Sequence, residues 1–233
     1  MRTKVLICAA VLAASLASSL AQNVYSINVV GYVNVTLPAH QFTCVANPLD
    51  ASMGGTIANG NDMTNLFKAP NVTIGAGSYF NTFVPSKIDY STTVPTYSTR
   101  TALLSANFAM PPGTAAMFFN GSSSDTVATF IGQVPQGTYN VASMASHTFN
   151  MLGSPIPIGG DTTNSTTVVG LAPNAGDSIA TFNSAKIDWL PAVTWSTRTK
   201  TWSGPMPVNV GQGFLYFNGS ASVNNWVSNF SVQ

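Results

Sequence analysis

Apolar and polar positions alternate in short bursts along this 233-residue chain. Runs such as SYFNTFV (Ser78–Val84), AAMFF (Ala115–Phe119), TVATFIG (Thr126–Gly132), GFLYF (Gly213–Phe217) and NWVSNFSV (Asn225–Val232) are rich in β-branched and aromatic residues and are bounded by turn residues. Runs of that kind and length predict β-strands. Helix formers are scarce, since the chain has no glutamate, few lysines and many Thr, Val, Asn, Gly and Pro. The pattern predicts an all-β protein. Asn120-Gly121 and Asn218-Gly219 each end an apolar run. Because Asn-Gly accepts the positive φ angles of a tight turn, AAMFFNG with TVATFIG, and GFLYFNG with NWVSNFSV, are expected to form equivalent hairpins.

The first residues break this pattern. Met1 to Lys4 is basic, Val5 to Leu16 is apolar, and Ser19-Leu20-Ala21 is a small-x-small site. That order predicts a secretory signal peptide over residues 1–21, too short for a membrane span, with cleavage after Ala21. The remaining chain is expected to be secreted or periplasmic, with no membrane insertion. Of eight Lys and Arg, removing Arg2 and Lys4 leaves six against seven aspartates, a net charge of about −1. Such a balance excludes an electrostatic nucleic-acid footprint, which requires clustered cations. Cleavage also removes Cys8 and leaves Cys44 as the only thiol, expected to be a buried small hydrophobe rather than a reactive group.

A repeat organises the rest. AHQFTCVANPLD (Ala39–Asp50) aligns with SHTFNMLGSPIP (Ser146–Pro157) at an offset of 107, matching His40 to His147, Phe42 to Phe149 and Pro48 to Pro155. SKIDY (Ser86–Tyr90) meets AKIDW (Ala185–Trp189) at an offset of 99. YSTRT and FFNGS, from Tyr97 and Phe118, meet WSTRT and YFNGS, from Trp195 and Tyr216, at 98. A loop deletion between Pro155 and Ala185 accounts for most of the change in offset. The expected organisation is two tandem pseudo-repeats of about 100 residues, 22–137 and 138–233, each an antiparallel β-sandwich- or barrel-like lobe. GQVPQGT (Gly132–Thr138) joins them.

The stretches VYSINVVGYVNVTLPA, CVANPLD, PPGTAAMFFNG and FIGQVPQG, behind a signal peptide and ahead of a degenerate second copy, resemble a family of secreted Verrucomicrobia and Planctomycetes proteins. That family carries NPL after a first strand and PGEGFF before a late one. Here these stand as ANPLD and PPGTAAMFF, and in the second copy as GSPIP and NVGQGFLYF. The resemblance implies a secreted, duplicated β-domain. It implies no activity.

The doubled charges are the candidate chemistry. In an extended strand Lys87 and Asp89 would share one face with Ile88 on the other, as would Lys186 and Asp188 with Ile187, while Arg100 and Arg198 follow on the next strand. One reading makes Lys87, Asp89, Arg100, Lys186, Asp188 and Arg198 structural clusters that pin strands in register, desolvated enough to matter. The rival reading adds the flanking aromatics: Tyr90, Tyr97, Trp189 and Trp195 beside Asp89 and Asp188 would make a sugar-binding surface of rings and planar polar groups. The expected role is structural or adhesive at the cell exterior, without catalysis or cofactor. The alternative is a carbohydrate-binding module, with an extracellular hydrolase a distant third. The expected partner is an extracellular glycan or another cell-surface protein.

Other chemistries lack their residues. An aspartic-protease pair requires Asp-Thr/Ser-Gly, whereas the contexts are Ile88-Asp89-Tyr90 and Ile187-Asp188-Trp189. No His-x-His or carboxylate spacing accompanies His40 and His147, so these read as strand-edge residues and not metal ligands. No Gly-x-Ser-x-Gly elbow occurs, and Gly75-Ala76-Gly77 and Gly211-Gln212-Gly213 read as turns.

Overall fold

The computed structural model describes residues 29–163 and 171–231. The expected signal peptide, with Cys8, lies outside them. The described chain is nearly all β. Its first half contains β1 (Val30–Leu37), β2 (Phe42–Ala46), β3 (Tyr79–Asn81), β4 (Phe83–Val84), β5 (Asp89–Tyr90), β6 (Tyr97–Ser98), β7 (Leu103–Leu104), β8 (Ala115–Phe119) and β9 (Thr126–Gln133). A one-turn helix, α1 (Met63–Leu66), lies between β2 and β3. The second half contains β10 (Gly137–Met144), β11 (Phe149–Gly153), β12 (Gly160–Asp161), β13 (Ser178–Asn183), β14 (Asp188–Trp189), β15 (Val193–Ser196), β16 (Thr201–Trp202), β17 (Pro207–Val208), β18 (Gly213–Phe217) and β19 (Asn224–Phe230). Among the described residues no helix is long and apolar enough to cross a membrane.

Among the described residues all of the strand pairs are antiparallel, and none of the sheets closes into a barrel. In the first half β1 pairs with β9, and β8 lies between β2 and β3. In the second half β10 pairs with β19, and β18 lies between β11 and β13, from which β15 and β16 continue the sheet. The strands stack in four layers: the β1–β9 ribbon, the β2–β8–β3 sheet, the β11–β18–β13 sheet and the β10–β19 ribbon. Side-chain alternation separates three apolar clusters. Val45, Ala116 and Phe118 face the first ribbon, together with Leu37, Phe80 and Phe130. Leu152, Phe214 and Tyr216 face the last ribbon, with Met144 and Trp226. The intervening positions Cys44, Ala46, Ala115, Met117 and Met151 meet in the middle. AAMFF and GFLYF are continuous apolar runs because both faces of these central strands are buried.

The middle seam is tight because small residues line it. A Cβ on Gly153 would stand 2.1 Å from the Ala46 Cβ, and one on Gly213 would stand 2.5 Å from the Cys44 Sγ and 2.7 Å from the Ala115 Cβ. At this separation the halves exchange backbone hydrogen bonds reciprocally. The Ala46 amide donates to the Gly211 carbonyl (2.8 Å), and the Gly153 amide donates to the Gly113 carbonyl (2.9 Å). Gly113 and Gly211 both have positive φ, 88° and 74°, which presents those carbonyls across the seam. Cys44 is buried here, and burial pushes its thiol pKa far up, as expected of an inert core cysteine.

The Asn-Gly pairs do not form hairpins. β8 and β9 belong to different layers, as do β18 and β19. The asparagine side chain makes the difference. Asn120 Nδ2 donates to the carbonyls of Leu37 (2.8 Å) and Ser124 (3.1 Å), while its Oδ1 accepts from the Ser122 amide. Asn218 does the same with Met144, Ser222 and Ser220. Each is buried and holds an arch from one layer to the next. The ANPL turn is likewise closed by Asn47, whose Oδ1 accepts from the Leu49 amide, and in GSPIP Ser154 accepts from the Ile156 amide. The second half also buries a carboxyl group, Asp177, with no cation beside it among the described residues. Asp177 accepts from the Tyr216 hydroxyl and the amides of Asn174 and Gly219. Burial, reinforced by Asp177, pushes the Tyr216 hydroxyl pKa far up.

The joint runs directly from β9 to β10 through Val134, which is buried in the first cluster rather than exposed. Val30 opens β1 opposite Gln133, and Phe230 closes β19 opposite Gly137, so both described ends of the chain lie beside this joint.

The seam yields a direct test. Gly153→Ala is expected to lower the unfolding free energy by about 1–3 kcal/mol, because the facing Ala46 Cβ has no rotamer to escape into. Adding Ala46→Gly, which moves the methyl from one side to the other, should recover much of that loss in a double-mutant cycle measured by denaturant unfolding.

Candidate functional site

The doubled KID motif forms hairpin tips, not extended strands. In the first half β4 turns through Pro85–Lys87 into β5, pairing Val84 with Asp89. In the second half the end of β13 turns into β14, pairing Asn183 with Asp188. Ile88 and Ile187 sit at φ 52° and 53°, in the left-handed region, and are 56% and 60% exposed. A β-branched residue is strained there, so local turn closure dictates the geometry. The aspartates supply part of that closure, since Asp89 Oδ1 accepts from the Tyr90 amide (2.7 Å) and Asp188 Oδ1 from the Trp189 amide (2.8 Å).

The expected desolvated charge clusters are therefore corrected. Lys87, Asp89, Arg100, Lys186, Asp188 and Arg198 are all exposed. Arg100 lies in the tip between β6 and β7, and Arg198 in the tip between β15 and β16. These tips carry a further matched left-handed pair, Ala102 and Lys200, at φ 55° and 56°. The chain places its repeated charges where water solvates them, because an uncompensated charge in the layers would be costly.

The four aromatics divide. Tyr90 and Trp189 are half-buried and pack against the middle seam, each edge-on to a phenylalanine of its own hairpin: Tyr90 to Phe83 (5.8 Å, 88°) and Trp189 to Phe182 (5.4 Å, 73°). Burial raises the Tyr90 hydroxyl pKa, opposed by the neighbouring Trp189 indole. Tyr97 packs against the first cluster. Trp195 differs. Its partner across the β15–β16 hairpin is Trp202, with the rings 5.7 Å apart at 64°.

These two indoles line an open groove of about 390 Å³ with Asp161, Thr163, Lys200 and Thr201. Asp161 is held at the end of β12, its Oδ1 accepting from the Thr163 amide and hydroxyl and from the Met206 amide (2.9 Å). Burial alone would raise its pKa, but these hydrogen bonds outweigh it and hold the carboxyl below its usual value. The groove thus combines two aromatic faces, a fixed carboxylate, an ammonium and two hydroxyls. At the matching place in the first half Tyr97 pairs with Leu104, and both pack against the core.

Sequence reasoning found Trp195 but missed Trp202, Asp161, Thr163 and Lys200. Trp195 and Trp202 stand symmetrically about the TRTK turn, a signal that a hairpin centred there would have exposed. Asp161 reaches the groove through tertiary pairing of β12 with β17, which no local pattern announces. Among the described residues no group of three or more His, Cys, Asp or Glu could hold a metal ion. No protein-family model matches the chain, and neither a curated protein nor a solved structure matches it.

Asp89→Asn and Arg100→Met are expected to be additive, with a coupling energy below about 0.5 kcal/mol, since exposed charges on separate tips share no partner. Ile187→Asn is expected to stabilise the protein by about 0.5–1 kcal/mol, because Asn tolerates left-handed backbone, whereas Ile187→Val brings no gain. Thermal or denaturant unfolding of the single and double variants checks both.

Proposed function

We propose that this chain is an exported adhesive protein, without catalytic activity, that contacts extracellular polysaccharide through the Trp195–Trp202 groove. The observation that carries the reading is the indole pair itself: two half-exposed rings beside Asp161, Lys200, Thr163 and Thr201 in one open groove. Flat aromatic faces stack on the C–H face of a sugar ring, while carboxylate, ammonium and hydroxyl groups take its hydroxyls. The open form of the groove suits a passing polymer. Export rests on the N-terminal sequence, as does kinship with the secreted Verrucomicrobia and Planctomycetes family on the motifs quoted above. Descent from a duplicated β-unit is part of the same proposal, supported by the matching order of strand pairing in the two halves and by the reciprocal bonds across the seam. In the Tyr97–Leu104 hairpin of the first half both residues pack against the core, whereas in the second half Trp202 packs against its cluster and Trp195 against none, so the binding role is assigned to the second half.

Affinity electrophoresis of the secreted protein through gels containing neutral and acidic polysaccharides tests this. Retardation by at least one polymer is expected, and Trp195→Ala should weaken it about tenfold or more while Trp195→Phe retains part of it. Trp195 packs into none of the three apolar clusters, so its loss should cost no more than its pairing with Trp202, about 0.5–1.5 kcal/mol of stability. Retardation that survives Trp195→Ala undiminished, or no retardation with any polymer, would overturn the proposal.

A further inference from the structure

The chain contains three Asn-Gly pairs, at Asn59, Asn120 and Asn218. Such a pair is intrinsically labile, because the backbone nitrogen of a glycine, unshielded by a side chain, can attack Cγ of the preceding asparagine and close a five-membered imide. Closure needs an asparagine side chain free to swing toward that nitrogen and an amide N–H free to give up its proton. The fold therefore decides which pair reacts. Asn120 and Asn218 meet neither condition. Both are buried, and each side chain is clamped at both ends: Nδ2 of Asn120 donates to the Leu37 and Ser124 carbonyls while its Oδ1 accepts from the Ser122 amide, and Nδ2 of Asn218 donates to the Met144 and Ser222 carbonyls while its Oδ1 accepts from the Ser220 amide. The attacking nitrogens are held as well, since the Gly121 amide donates to Ser78 Oγ (2.9 Å) and the Gly219 amide to Asp177 Oδ1 (2.9 Å).

Asn59 is different. It is exposed, and among the described residues its side-chain amide has no hydrogen-bond partner. The Gly60 amide makes only a long bond, to the Ile57 carbonyl (3.2 Å), which closes a tight turn. That turn favours the labile pair on two counts. Asn59 has φ 58°, left-handed backbone that asparagine tolerates better than most residues, and a Cβ on Gly60 would stand 2.3 Å from the Ala51 carbonyl oxygen.

We propose that Asn59 is a site of spontaneous deamidation in the folded protein, and that the fold protects Asn120 and Asn218 from the same reaction. Hydroxide removes the Gly60 amide proton and the Gly60 nitrogen bonds to Asn59 Cγ. The Cγ–Nδ2 bond breaks, and Nδ2 takes a proton from water and leaves as ammonia. Water then opens the imide at either carbonyl, giving aspartate or isoaspartate, with no oxidation or reduction in any step. The modification reaches α1, because the Asn59 carbonyl accepts from the Asp62 amide (3.0 Å) and from Asn65 Nδ2 (2.7 Å) at the approach to that helix. In isoaspartate that carbonyl leaves the main chain as a carboxylate, and the main chain between Asn59 and Gly60 gains a methylene. The site shares no residue with the indole groove and does not rest on that groove binding polysaccharide.

The test is incubation of the intact secreted protein at mildly alkaline pH, folded and in guanidinium chloride, with the acid forms at the three positions followed by peptide mapping and isoaspartate detection. In the folded protein Asn59 is expected to convert within about tenfold of its rate in the unfolded chain, and at least about a hundredfold faster than Asn120 and Asn218, whose reaction must wait for local unfolding. In guanidinium chloride all three should convert at similar rates, which shows that the fold and not the local sequence makes the selection. The rate at Asn59 should rise with pH, as removal of the Gly60 proton requires. Conversion of Asn120 or Asn218 as fast as Asn59 in the folded protein overturns the proposal. So does an Asn59 that stays an amide in the folded protein over the time in which it converts in the unfolded chain.

Discussion

Everything in this molecule depends on how closely its two central sheets approach one another. Ala46, Ala115, Gly153 and Gly213 present almost no side chain to the seam, so the sheets come near enough for backbone amides to reach carbonyls across it. Each central sheet is thereby covered on both faces, by its own ribbon outside and by the other half inside. A sheet buried on two faces calls for apolar side chains on both, and its middle strands β8 and β18 supply them. The price is crowding: larger residues on this surface would push the layers apart and break the reciprocal bonds at the same time.

Much of this was legible in the sequence. AAMFF and GFLYF read as strands because two-sided burial writes an unbroken apolar run, and the scarcity of helix formers left little competition. The misreadings have specific physical causes. KID looked like alternating strand because nothing in the letters announces that Ile88 and Ile187 take left-handed backbone, a conformation their own side chains oppose. Asn-Gly looked like a hairpin because the glycine suggested a turn, whereas the asparagine amide, buried between layers, decided the path. The groove was half visible. Trp195 stood out by its repeat with Tyr97, but Trp202 and Asp161 become neighbours only through strand pairing.

The distribution of polar groups follows one rule throughout. Among the described residues cations are confined to tips and loops, while the interior is bridged by neutral amides and hydroxyls that satisfy arches and turns. Asp177 is the exception, and its surroundings show what an exception requires: a phenol and two amides converge on it, and Asn224 supports the phenol from behind (2.9 Å). In the first half the matching position is Ser78, which accepts from the Gly121 amide (2.9 Å), and the matching ring is Phe118. The same junction is thus closed by a serine in one half and by an aspartate with its phenol in the other.

The meeting of both described chain ends beside the joint has a mechanical meaning. Tension applied between Val30 and Phe230 would fall first on the Val30–Gln133 and Gly137–Phe230 pairs, which sit at the open ends of two antiparallel ribbons. Ribbons loaded in that way part like zippers, one rung after another, rather than resisting as sheared strands do. The outer ribbons would lengthen and absorb work while the two sheets at the centre, off the line of force, stay clasped. Loaded between those two points, the molecule would therefore yield at its ribbons before its central sheets part.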